Sequence, residues 1–491
     1  MRFLFTFLLI SISIQNIQAQ DINGQIIDKQ TKEAIPYASI QVNKTKGTIS
    51  NEEGFFNLDI ENTASKTLTI SCMGYLPKVV TLEKLKANNN IITLEMAINT
   101  LKEVAIDNSI PNADSILSMV NLKFKDNYNY ENKNHKFFYR ESNAANFKEV
   151  DFEVEKAKHL RKKTIEDLNK DIKAFTQNVK SSDVKHYVDL LGNLYINESD
   201  KTKLTVSKVT NLIDKNKNFN SESIEEKVQI AMLKVLDTSK TFKLKTGIIK
   251  IEDSMSLKDS QNKEVKANEY NNIKLKDDLL DIIQKTKFHD DSFIRNIIDT
   301  DLYNYEFEDF SFYNNELVYI INFKPRRSKS KFSGKLYITE EDYAILRLDY
   351  SFAKGKRGTK VNLKFLLGIK YVENVNAGTI LFKKNDNGTY VPSYIKKVDN
   401  KYFYLSRSFK LIENSDKKLK TKFDLTMELD NLMKREILFI NTEDINNNDY
   451  DTIQEKEKVP YINIEKYNPD LWKNEKIIEP LLEMKKFGTV E

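Results

Sequence analysis

The side chains that most often perform chemistry are few and scattered in this sequence. Its 491 residues include one cysteine, Cys72, and four histidines, His135, His159, His186 and His289. A single Cys cannot close an intramolecular disulfide, and ligands so sparse argue against a zinc, haem or iron–sulfur centre. Cys72 ends the string Leu68-Thr-Ile-Ser-Cys72, in which alternation puts Leu68, Ile70 and Cys72 on one strand face and Thr67, Thr69 and Ser71 on the other. It therefore reads as a small buried hydrophobe; a reactive thiol would need exposure and a cationic neighbour. The acidic pairs Asp290-Asp291 and Glu340-Glu341 raise the idea of a two-carboxylate hydrolase, yet adjacent residues on a strand point to opposite faces. Asn51-Glu52-Glu53-Gly54 reads as a tight hairpin turn, and as a calcium loop it falls short of the oxygen set such a site needs. With 13 Gly in the chain and no phosphate-cradling string, nucleotide chemistry has no visible place. No catalytic, cofactor-binding or metal-ligating residue is assigned, and no cofactor is expected.

Composition points the same way. Lys plus Arg number 77 against 72 Asp plus Glu, a net charge of +5 when 30% of residues are charged. Such balance gives no electrostatic case for a nucleic-acid partner. Lysines crowd the middle of the chain, and Lys324 to Lys335 forms a basic cluster with Arg326, Arg327, Lys329 and Lys331. A solvated surface is the plain reading of both; the sharper ones are binding of anionic lipid or polysaccharide by the middle lysines and peripheral contact with lipid headgroups by the cluster. At the N-terminus, Met1-Arg2, the apolar run Phe3 to Ile14 and the small Ala19 describe a cleaved secretory signal peptide over residues 1–19. No Cys stands at that junction for a lipoprotein anchor, and no later stretch nears the roughly 20 apolar residues of a transmembrane helix. The expected location is outside the cytoplasm, periplasmic or associated with the outer membrane.

The elements that must position these residues fall into blocks. From Asp21 to Met96, six short runs with period-two alternation suggest a β-sandwich, with Phe56, Leu58 and Ile60 sharing a core face. Helical patterns follow over Ala113 to Tyr128 and Leu160 to Val179, and Val184, Tyr187, Val188, Leu191 and Leu194 read as continuing in the same manner. Phe137 to Glu141 looks extended. Further helices are expected over Ser223 to Leu236 and Asp277 to Thr286, with polar loops at Asp214 to Asn220 and Lys258 to Asn272. From Leu317 to Leu429 alternating runs separated by turns, including the hairpin signal Asn387-Gly388, predict a long antiparallel meander. The lone Trp472 is expected to fix a polar tail onto that sheet, a ligand-stacking role being the alternative.

Four motifs in order, Gly24 to Asp28, Ala34-Ile-Pro-Tyr-Ala38, Gly47 to Phe56 and Leu68 to Tyr75, resemble the carboxypeptidase regulatory-like domain. The resemblance implies a seven-strand-type, transthyretin-like Greek-key sandwich, common at the N-termini of exported proteins of Bacteroidota. That domain accompanies carboxypeptidases and carries no catalytic residue of its own. None of the four histidines opens the His-x-x-Glu pair a zinc peptidase needs. Farther along, Phe138-Tyr-Arg-Glu141, Phe332 to Ile345 and Tyr467-Asn-Pro-Asp-Leu-Trp472 resemble strings in uncharacterised exported proteins of Bacteroidota with the same N-terminus.

The expected organisation is a signal peptide at 1–19, a sandwich at 20–98, a mixed helical region with mobile polar loops at 99–300, a meander or half-barrel at 301–445, and a tail at 446–491 packed on the sheet. The fold class is mainly β with α, a sandwich followed by an α+β domain. The function expected is a non-catalytic, exported, envelope-associated protein with a binding or accessory role. A periplasmic carrier of a lipid or other hydrophobic ligand in the meander is the alternative, and a hydrolase a remote one. The partner is expected to be an envelope protein or a hydrophobic ligand.

Overall fold

The computed structural model describes residues 21–43, 46–60, 65, 67–97, 111–128, 130–157, 159–180, 184–213, 236–237, 239–247, 249–256, 269–288, 292–314 and 316–488. The expected signal peptide, the loop Asp214 to Asn220, all but the last residue of the helix over Ser223 to Leu236, and His289 with Asp290-Asp291 lie outside the described residues. The described residues form two compact units, one drawn from 1–107, 311–317 and 468–482, the other from 108–310, 318–467 and 483–491.

The first unit is built on seven strands: β1 Asp21–Asp28, β2 Ser39–Gln41, β3 Gly47–Ile49, β4 Phe55–Asp59, β5 Thr67–Ser71, β6 Lys78–Thr81 and β7 Ile91–Leu94. They make two sheets, ordered β4-β1-β7 and β3-β2-β5-β6, with β1 antiparallel to β4 and parallel to β7. The alternation expected from sequence sets the core. Phe56, Leu58, Leu68 and Ile70 meet Ile26, Ile40, Ile92 and Leu94 between the sheets, each contributing about 1.5–3 kcal/mol on burial. Cys72 belongs to the same cluster and is buried, as its strand phase requires.

Discontinuous segments complete this unit. The buried Asn51 donates its side-chain amide to the carbonyls of Glu479 (3.0 Å) and Pro480 (3.3 Å), while its own Oδ1 accepts from the backbone N–H of Glu53 and Phe55 at 2.9 Å each. The Glu53 carboxylate accepts from Leu482 N at 2.8 Å. The turn considered for calcium thus clasps the segment Asn468–Leu482. The tail was expected to pack on the large sheet; part of it, the stretch holding the buried Trp472, belongs instead to the first unit.

The second unit is dominated by one open sheet of 14 strands among the described residues. Its strands are β8 Lys133–Ala157, β9 Val184–Ile196, β10 Thr202–Leu212, β11 Thr241–Thr246, β12 Ile249–Ser256, β14 Tyr303–Tyr313, β15 Glu316–Pro325, β16 Phe332–Thr339, β17 Ile345–Phe352, β18 Lys360–Leu363, β19 Ile369–Lys384, β20 Tyr390–Glu413, β21 Lys420–Asp444 and β23 Ile462–Ile464. The main path runs β14-β15-β16-β17-β19-β20-β21-β8-β9-β10-β23 and does not close. Two three-residue strands, β13 Glu269–Asn271 and β22 Lys458–Pro460, pair separately.

Two sequence expectations need correction. The region 99–300 is not mainly helical, because β8, β9 and β10 extend the meander directly beside β21. Val184 to Leu194 is strand β9, buried at Val188, Asp189, Leu190 and Leu191 in succession. A central strand apolar on both faces mimics the three-and-four spacing of a helix. Within the expected meander, Ser393 to Val398 and Tyr402 to Ser406 lie in one 24-residue strand, β20, and the chain after β18 turns into a short helix, Lys364–Leu367. The helices Ala113–Asn127 (α2, after the short α1 Leu82–Ala87) and Lys162–Lys180 (α3) form as expected. Leu168, Ile172 and Val179 of α3 pack on β8 and β21. The helix expected over Asp277 to Thr286 forms as α4, Asn272–Ile283, running on into a 3-10 turn, Gln284–Thr286; of the loop expected over Lys258 to Asn272, residues 258–268 lie outside the described residues, and the short α5, Phe293–Ile297, follows.

Candidate functional site

Pairing register turns the large sheet into rows, and two neighbouring rows show how its faces differ. One runs Ile321, Leu336, Leu348, Ile380, Ile395, Ile437, Tyr139, Leu190 and Val209 across β15, β16, β17, β19, β20, β21, β8, β9 and β10. All nine are buried. The next row, on the opposite face, runs Asn322, Lys335, Asp349, Thr379, Lys396, Glu436, Arg140, Asp189 and Thr210. Every member is polar, and from Lys335 onward the charged members alternate in sign.

Cross-strand neighbours of opposite charge attract, and at one end of the row they form an ion pair, while the other acidic members are held by side chains nearby. The Arg140 guanidinium donates from Nε and Nη2 to the Asp189 carboxylate at 2.7 and 2.6 Å, both residues being buried. Tyr394 Oη donates to Glu436 at 2.8 Å. Asp349 accepts from Thr379 Oγ1 at 2.8 Å and from Arg347 Nε at 2.7 Å.

The row changes character along its length. Its Arg140–Asp189 end is sealed from solvent, whereas Lys335 and Asp349 are partly exposed. At that open end lies a groove of about 510 Å³ over β16, β17, β19 and β20. Lys335, Tyr337, Asp349, Ser351, Thr379 and Lys396 supply its polar lining. Beneath it Tyr350 lies across Gly378: a Cβ there would come within 2.6 Å of Tyr350 Oη and 2.4 Å of the Lys396 carbonyl oxygen. Glycine at 378 therefore permits the close passage of the ring under the groove.

The apolar face is covered by α4 and α5, and it hides a second polar group. Arg435 Nη2 donates to Asp399 at 2.7 Å and Nη1 to Asp278 of α4 at 3.3 Å, while Lys397 pairs with Asp281 of α4 and stands 3.6 Å from Asp399. Lys285 adjoins this cluster, its ammonium 4.4 Å from the Phe293 ring centroid and 5.5 Å from that of Tyr350. Burial first, and the Lys397 charge second, push the Lys285 ammonium down to about 8, against the pull of Asp281 and Asp399. An amine losing its proton so near neutrality can act as a base. Here, however, it lies on the 3-10 turn after α4 beside two rings, and the surrounding carboxylates are already engaged by cations. Structural ion-pair networks shift pKa values in the same way.

The residues singled out from sequence do not converge. His135 is buried with Nδ1 3.0 Å from Thr442 Oγ1, His186 pairs with Asn211, and Glu340 and Glu341 are exposed in a turn. Arg326 and Arg327 donate to the carbonyls of Thr300 (2.8 Å) and Asp301 (3.2 Å), so those two side chains of the Lys324 to Lys335 cluster bind the chain itself. Of the groove lining only Lys335 stood out in the sequence, as the end of the basic cluster, and neither the ionic cluster under α4 nor the rest of the polar row did. Their signal was a charge inside an otherwise apolar strand, as at Arg140 in Phe137-Phe-Tyr-Arg140 and Asp189 in Val188-Asp-Leu-Leu191. Among the described residues no group of three His, Cys, Asp or Glu is placed to hold a metal ion, and no helix is long and apolar enough to cross a membrane.

With this geometry in place, comparison with known families gives two matches. Residues 22–106 match the CarboxypepD_reg-like domain, and residues 299–391 match a family of unknown function, DUF5686. The first match takes in the strands of the N-terminal sandwich, and the second spans β14 to the start of β20 and includes much of the groove. No curated protein and no solved structure is significantly similar to the chain.

Proposed function

We propose that this protein is a non-catalytic, exported component of the cell envelope that binds a polar partner, an extended protein segment, in the groove over β16, β17, β19 and β20. The observation that carries this reading is the polar row: at the groove its members are fixed by neighbouring side chains before any partner arrives. The Asp349 carboxylate is fixed by Arg347 and Thr379 and the Lys335 ammonium by Glu308, so the groove presents these groups, together with Lys396 and the Tyr337 and Ser351 hydroxyls, on a rigid floor. Preorganised polar groups on strands suit recognition, because little ordering is left to be done on binding. The two matched domains support a non-catalytic architecture.

The filled apolar face favours this reading over a carrier of hydrophobic ligand. Leu275, Leu279 and Ile282 of α4 and Ile294 and Ile297 of α5 are buried, so helices occupy the space that an acyl chain would take. The sequence-based signal peptide supports export.

The test is a photocrosslinking amino acid placed at Tyr337 in intact cells, with a control at the exposed Lys86. Adducts with envelope proteins at position 337 and none at 86 are expected. Equal labelling at both positions, or recovery of the protein in the cytoplasmic fraction alone, would overturn the proposal.

A further inference from the structure

Strand β18 and the start of β19 form an arm at the sheet edge, paired Lys360 with Val372 through Leu363 with Ile369. Its tip is the helical turn Lys364–Leu367. Phe365 is completely exposed (105%) and Leu366 nearly so (74%), with Val361 and Leu363 also exposed. Two neighbouring large apolar side chains held wholly in water are unusual on a folded surface, and contiguous exposed apolar groups mark interaction sites.

The turn is fixed in this posture. Gly368 closes it at φ 63°, and a Cβ there would meet the Ser406 carbonyl oxygen at 2.0 Å, so only glycine fits the close approach to β20. The Gly368 carbonyl in turn accepts from Ser406 N at 2.8 Å. Because the turn is pinned to the sheet, Phe365 and Leu366 cannot simply fold back.

Charge surrounds the apolar tip. From Ala353 to Val372 the sequence holds Lys354, Lys356, Arg357, Lys360, Lys364 and Lys370 and no Asp or Glu. Lys364 Nζ sits 3.8 Å from the Tyr404 ring centroid and Lys370 Nζ 4.8 Å from that of Tyr402, so two ammonium groups lie over tyrosine rings behind the tip. Carboxylates begin at the base of the arm, and each has a partner: Glu373 accepts from Thr359 N, Glu428 on β21, opposite Tyr404, is hydrogen-bonded to Tyr402, and Asp430 is engaged by Lys148.

We infer that this arm seats the protein on an anionic lipid surface, with Phe365 and Leu366 entering the interface and the lysines and tyrosines at headgroup depth. Protein interfaces place their apolar groups in a broad patch ringed by a polar rim. A narrow projecting apolar tip with cations behind it instead matches the layering of a membrane interface, where aromatic, Tyr and Lys side chains occupy successive depths. Apolar insertion and attraction to anionic headgroups then act together, as a single weak anchor would bind only marginally.

The test uses the purified full chain in flotation with vesicles of phosphatidylcholine alone and of an equal mixture of phosphatidylcholine and phosphatidylglycerol. Binding to the mixed vesicles, weakened by added salt and absent from the neutral ones, is expected. The pair Phe365→Ser and Leu366→Ser should lower binding by about tenfold or more, and Lys360→Glu with Lys364→Glu similarly. These side chains are exposed, and an unchanged unfolding midpoint confirms an intact fold. In Phe365→Trp, emission should shift to the blue on mixed vesicles. Equal binding by wild type and the serine pair, or a blue shift that follows protein concentration without vesicles and so reports a second copy, would overturn the inference. The assay is independent of the groove, so its failure leaves the proposed partner binding intact.

Discussion

His135 illustrates what a single residue contributes. It lies on β8, edge-on to the Phe439 ring with centroids 5.4 Å apart. Burial, reinforced by the Lys133 and Lys287 charges, pushes its imidazole down to about 3. In the unfolded chain it titrates near its ordinary value of about 6.5. The native state therefore takes up this proton only near pH 3, while the unfolded state does so near pH 6.5. Stability from this group is complete above pH 6.5 and is lost as pH falls toward 3, by as much as about 4 to 5 kcal/mol. In His135→Gln, the urea midpoint should fall less steeply between pH 6.5 and 3 than in wild type. Parallel curves would show that acid sensitivity arises elsewhere.

At the scale of elements, the long strands depend on crossings that side-chain volume controls. Gly378→Ala would press a methyl group against Tyr350 and the Lys396 carbonyl, so a loss of roughly 1–3 kcal/mol is expected, read as a lower denaturation midpoint with unchanged slope. Tyr350→Phe should not restore it, since the backbone contact with Lys396 persists. The sequence made the sandwich legible because its strands bury one face each: Phe56, Leu58, Leu68 and Ile70 stand out by alternation. It made β9 illegible for the opposite reason, because Val188, Asp189, Leu190 and Leu191 are buried on both faces. The polar row escaped notice because its members are neighbours only through pairing between distant strands. Arg140 and Glu436 are adjacent in the sheet, yet nothing near either in sequence announces the other.

For the whole molecule, the first unit depends on segments that arrive late in the chain. Asn51 alone satisfies two carbonyls of the Asn468–Leu482 segment and two backbone donors of its own turn. Asn51→Ala should cost about 1–3 kcal/mol, since it leaves buried groups unpaired. It should also speed proteolysis within Asn468–Leu482, measured by following fragment masses over time. Unchanged cleavage with a lowered midpoint would show that other contacts hold the segment.

This clasp has a consequence for the order in which the protein matures. A chain emerging N-terminus first presents the sandwich strands early, but their companion segment follows more than four hundred residues later. Contacts of such long sequence separation form slowly, since a large loop must close before they repay the entropy lost. A part of the protein made early is thus among the last to be finished, and its stability reports whether the later segment has arrived.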